Sequence, residues 1–108
     1  MTVENAIELF DVREKQALAF CGIYKEKLEY EDLQLAIDDY CNNMAEIFIE
    51  THKQFFNNEA CRTQLKRYLH SIGVDKPHSG KRFHEAMYNQ IANIKDKTTV
   101  EFIEDKNL

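Results

Sequence analysis

The sequence predicts an all-α protein, with four to five helices packed as a small bundle or orthogonal array. Three observations carry this. Apolar residues recur at three- and four-residue spacing along most of the chain. Only three Gly and one Pro punctuate 108 residues. That is too few for a β protein, which needs a turn every eight to twelve residues or so. Seven Phe and five Tyr supply the apolar area that a disordered chain lacks. A length of 108 residues suits one hydrophobic core, so a single helical domain over residues 1–108 is expected.

The first helix is read from Val3 to Leu28. Val3, Ala6, Ile7 and Phe10 begin its apolar stripe, and Ala17, Phe20, Cys21, Tyr24 and Leu28 resume it. Asp11 followed by Glu14 has the form of a capping box and predicts a kink or second start near Asp11. Gly22 weakens the segment by about 1 kcal/mol relative to Ala. The second helix runs from Glu31 to Phe56 on a stripe that includes Leu33, Ile37, Cys41, Met44 and Phe48. Glu29, Glu31 and Asp32 lie at its start, where a helix dipole favours negative charge. Asn57 and Asn58 end it or cap its successor. The third helix spans Glu59 to Ile72, with Leu65, Tyr68 and Leu69 on one face. Gly73 occupies the place of a left-handed C′ residue, and Val74 follows where it can pack back. Pro77 interrupts any continuation. A fourth helix begins between Ser79 and Lys81 and presents Phe83, Met87, Ile91 and Ile94. Thr98 with Glu101 marks a short last helix bearing Val100, Phe102 and Ile103. Ile37, Met44, Phe48, Leu65, Leu69, Phe83, Met87 and Ile91 form the expected core.

Catalytic motifs are missing from this sequence. Glu46 and Glu50 lie one turn apart with His52 near, but a carboxylate-bridged di-metal bundle needs Glu-x-x-His pairs, and none occurs. The other histidines, His70, His78 and His84, gather around one loop without ligand spacing. Ser71 and Ser79 sit in no strand-to-helix elbow. Cys21 and Cys41 fall on apolar stripes, where thiols serve as packing. The odd count of three cysteines argues against a secreted disulfide framework. No Gly-rich loop is present to cradle phosphate. A non-enzymatic protein without cofactor or bound metal is therefore expected. The start of the chain carries Glu4 and Glu8 but no basic stretch, and the apolar run from Ala17 to Tyr24 is too short to span a bilayer. No membrane partner is expected, and the cytoplasm is the expected location.

Charge is distributed unevenly. Residues 1–60 hold five Lys or Arg against thirteen Asp or Glu, a net of −8. Residues 61–84 reverse this, with Arg62, Lys66, Arg67, Lys76, Lys81 and Arg82 against Asp75 alone. These six residues are the candidate binding site, for an acidic protein partner or for phosphate backbones. The same stretch can also fold back on the acidic first half. Net repulsion from that half opposes strong non-specific DNA binding. The helix–loop–helix of residues 59–94 differs from the DNA-binding motif in its longer, Pro-containing connector. Replacing Lys66, Arg67, Lys81 and Arg82 together is expected to leave the core intact.

The run Tyr68-Leu69-His70-Ser71-Ile72-Gly73-Val74, followed by Gly80-Lys81-Arg82-Phe83, resembles the middle of the AsiA-type anti-sigma factors of T-even phages. Asp96-Lys97-Thr98-Thr99 before Val100 to Glu104 is similar in character. The resemblance covers about the last fifty residues. It implies a small helical protein that binds a sigma-factor domain and remodels transcription, and it transfers no individual binding residue. The expected function is that of a small helical regulator or inhibitor that binds a protein partner. Anti-sigma, anti-CRISPR and immunity proteins of phages and mobile elements work in this way. The alternatives are a nucleic-acid-binding module built on residues 59–94 and a self-associating subunit of a larger complex. A homodimer is expected because Ile49, Phe55 and Phe56 crowd the second helix beyond one stripe.

Overall fold

Five helices, and no strand, make up the described residues of the computed structural model, which are 1–74 and 80–94. Helix α1 is Val3–Tyr24, α2 Tyr30–Thr51, α3 Lys53–Phe56, α4 Glu59–Ser71 and α5 Arg82–Ala92. The all-α expectation is met. Lys76, Pro77, His78, Ser79 and the short helix expected from Thr98 to Ile103 lie outside the described residues.

Local chemistry sets the helix ends. The Thr2 hydroxyl accepts the Asn5 N–H at 3.1 Å and opens α1. That helix runs unbroken through Asp11 and Gly22, so no second start occurs at Asp11. Asn58 caps α4 by accepting the Cys61 N–H at 3.1 Å. Gly73 closes α4 in the left-handed region at φ 82°. Its N–H reaches the His70 carbonyl, and the Val74 N–H reaches that of Leu69. This is the 5→2 and 6→1 pairing of a Schellman ending, with Val74 buried as its apolar lock. The second helix ends earlier than its periodicity predicts. His52 leaves helical geometry at φ −116°, ψ 41°, and the one-turn α3 then turns Phe56 into the core.

Helices α1 and α2 form an antiparallel hairpin, since Phe10 meets Phe48 while Phe20 stacks on Tyr40 at the other end. Helix α5 lies across one side of this hairpin, with α4 beside it. Phe10, Phe48, Phe56 and Phe83 form the centre, their ring centroids 5.3 to 6.4 Å apart in tilted and edge-on pairs. Such geometry suits the aromatic quadrupole. Seven of the eight expected core residues are buried. Met44 is the exception: it is half-buried on the hairpin side away from α5. Ile49 and Phe55, which suggested self-association, pack partly buried against the core.

Candidate interaction surfaces

The start of α5 is where three helices are tied together by polar contacts. Lys81 stands at its N-cap without a side-chain cap bond, which leaves the first N–H groups of α5 in need of an acceptor. Glu14 supplies it from α1. Its carboxylate accepts the N–H of Phe83 and of His84, both at 3.2 Å, and the His84 ring Nδ1 lies 2.7 Å from the same oxygen. The other ring nitrogen, Nε2, lies 3.1 Å from Asp11. His84 itself is buried. Each ring nitrogen of His84 thus faces one carboxylate of α1. Burial pushes the Glu14 carboxyl up, but the bonds from the His84 ring and the two backbone N–H groups outweigh this and hold it below its usual value. Asp11 and Glu14, one turn apart, therefore cap and clamp a distant helix instead of starting their own.

The six basic residues divide between fold and surface. Arg62 is buried and donates to the Phe56 carbonyl at 2.6 Å, securing the α3–α4 corner. Arg82 reaches across to α2, where it binds the Gln34 side chain and pairs with Asp38. The fold-back of the basic stretch onto the acidic half is thus realised at Arg82. Lys66 and Arg67 are exposed on α4, Lys81 is half-exposed beside α5, and Lys76 lies outside the described residues.

The second surface is one that charge counting missed. On the side of the hairpin away from α5, a groove of about 380 Å³ runs between α1 and α2. Leu9, Arg13 and Gln16 line one wall, and Tyr40, Met44 and Ile47 the other. Ile47 is 65 % exposed. Arg13 donates to Gln16 at 2.9 Å within the groove. The signal was present in the sequence: positions 9, 13, 16, 20 and 23 and positions 40, 44, 47 and 51 each follow a four-three spacing. These second stripes lie beside the core stripes, and of their residues only Met44 was expected in the core.

The remaining chemistry-bearing side chains do not converge. His52 lies against Phe48 with ring centroids 5.2 Å apart, while Glu46 and Glu50 point to solvent. Among the described residues, no cluster of His, Cys, Asp and Glu is arranged to hold a metal ion. The three cysteines are free, and burial pushes the Cys41 thiol up to about 12, which suits packing and not nucleophilic attack. No described helix is long and apolar enough to cross a membrane. No protein-family model, curated protein or solved structure matches the chain.

Proposed function

We propose that the chain is a non-enzymatic, protein-binding regulator or inhibitor that engages its partner through the open side of the α1–α2 hairpin. The observation that supports this is the groove, with Ile47 at 65 % exposure on its wall. Isolated exposed apolar residues are ordinary, whereas an apolar groove on two long helices is the usual receptor for a helical partner. Phage and mobile-element regulators, anti-sigma factors among them, fit this size and mode of action, and a sigma-factor domain is one partner that the AsiA resemblance suggests. The cytoplasm is the proposed location.

Two other readings start from specific observations. Lys66 and Arg67, adjacent and exposed on α4, favour a nucleic-acid surface. It is smaller than the charge count implied, because Arg62 and Arg82 are engaged in the fold. Exposed Leu18, Leu35 and Ile47 favour self-association.

One experiment sorts these readings. The chain is used to capture partners from nuclease-treated extract of its source cell, alongside Ile47→Glu and Lys66→Glu/Arg67→Glu variants. The protein-binding reading expects a partner retained after nuclease, kept by the Lys66/Arg67 variant and lost with Ile47→Glu. Loss on nuclease treatment, or only in the basic-face variant, overturns it. Titration against mixed DNA and RNA at about 50 mM salt provides the matching control, since phosphate binding falls steeply as salt rises.

A further inference from the structure

We infer that the α1–α2 groove accepts a basic amphipathic helix, one with an apolar seam and Lys or Arg along the flank that faces α2. This rests on the reading of the groove as the partner site. Its length comes from α2: Tyr40 and Thr51, both lining the groove, are 11 residues apart in one helix, or about 17 Å at 1.5 Å per residue. Three turns of a partner helix fill that distance. The four-three spacing on both walls is the spacing that knobs of a third helix need. Arg13 and Gln16 interrupt the apolar lining near its middle. A polar side chain opposite them fixes the register, as a single polar position does in a coiled coil.

The charge of the partner follows from the two rims, which differ. On α1 the residues that precede the wall positions are Glu8, Val12, Lys15 and Ala19, whose one acid and one base leave no net charge. On α2 the outward neighbours of the Ile47 line are acidic. Asp32, Asp39 and Glu46 recur every seven residues, and Glu50 stands one turn beyond. All four are exposed, and among the described residues none makes an ion pair or a side-chain hydrogen bond. Asp38, which lies on the α5 side of α2, is paired with Arg82. An unpaired acidic ridge along one rim repels an acidic helix and attracts a basic one, and it sets which way the helix is turned. A second copy of this chain is the poorer occupant. Among the described residues its long basic helix, α4, has Leu65 and Leu69 buried in its own core, and the chain carries a net charge of −5.

The test uses the full chain and a displayed library of helical peptides of about 14 residues, one turn longer than the groove. Their apolar seam is fixed at heptad spacing, and their flanks vary among Lys, Glu and Gln. The inference expects enrichment of Lys on one flank. The selected peptide should bind the wild type and Leu18→Glu alike, because Leu18 is 60 % exposed but lies about 180° around α1 from Leu9. Ile47→Glu should weaken it at least about tenfold, and Glu46→Lys/Glu50→Lys at least about fivefold with loss of salt dependence. Circular dichroism melts confirm that each variant folds. Enrichment of Glu, or of neither charge, with the same dependence on Ile47 overturns the basic partner while leaving the groove as a binding site. Failure to select any peptide that depends on Ile47 overturns both. A wild-type dimer that Ile47→Glu dissociates makes a second copy the occupant and overturns the inference as well.

Discussion

Glu14 shows how much one side chain does when it faces inward from a helix. It stands in for the missing N-cap of α5 and holds one side of the His84 ring. Glu14→Ala removes the acceptor of two N–H groups and of a buried ring, and is expected to cost about 2–3 kcal/mol. Glu14→Gln keeps one acceptor oxygen and should cost about half as much. The pH dependence follows in sign. The folded carboxyl titrates below its ordinary value of 4.5, so its contribution is present in full above that value and is lost as pH falls through the lower, folded one. Urea melts of the wild type and Glu14→Gln should therefore differ most near neutral pH and converge in acid. A gap that widens as pH falls below about 4.5 contradicts this assignment. Nothing in the sequence reveals the pairing, because Asp11 and Glu14 read equally well as a local capping box, and His84 is about 70 positions away.

At the scale of elements, the sequence announces an end where the chemistry is local. Asn58 and Gly73 act within one turn of themselves, and both were legible. The break at His52 was not, because Ile47, Phe48, Phe55 and Phe56 keep one phase across it; what separates α3 from α2 is the need to bring Phe56 under α4, a tertiary demand. The start of α5 was blurred for the same reason, since its cap comes from α1. The two informative glycines give opposite predictions. Gly73 has φ 82°, where a Cβ is strained, so Gly73→Ala should cost about 1–2 kcal/mol. Gly22 lies in α1 with open space where its Cβ would project, so Gly22→Ala should stabilise by about 0.5–1 kcal/mol. Thermal melts of the two variants should move in opposite directions; a gain for Gly73→Ala would remove the Schellman ending as the lock on α4.

For the whole molecule, apolar periodicity was enough to place the core and its helical class, while net charge was a poor guide to the working face. Counting Lys and Arg along residues 61–84 treats six charges as equivalent, but side chains of a bundle are sorted by which way each turn faces. Arg62 faces inward to a carbonyl and Arg82 sideways to α2, whereas Lys66 and Arg67 face out. The expectation that four of them can be reversed together with the core left intact therefore divides in two. Lys66→Glu/Arg67→Glu touches no core contact, and its melting temperature should stay within about 2 °C of wild type, as for other open surface changes. Arg82→Glu replaces the partner of Asp38 and Gln34 with a carboxylate that faces Asp38, on the side of α5 where Glu14 is already ionised. Asp38 is 52 % exposed, so water screens part of the repulsion. A cost of about 1–2 kcal/mol remains from the lost charged hydrogen bonds, or roughly 4–16 °C in a domain of this size. Adding Asp38→Arg to Arg82→Glu restores opposite charges across α2 and α5 and should recover part of that loss. Equal melting temperatures for the Lys66/Arg67 and Arg82 variants would mean that the Arg82 contacts add nothing to the hold of the hairpin on α5.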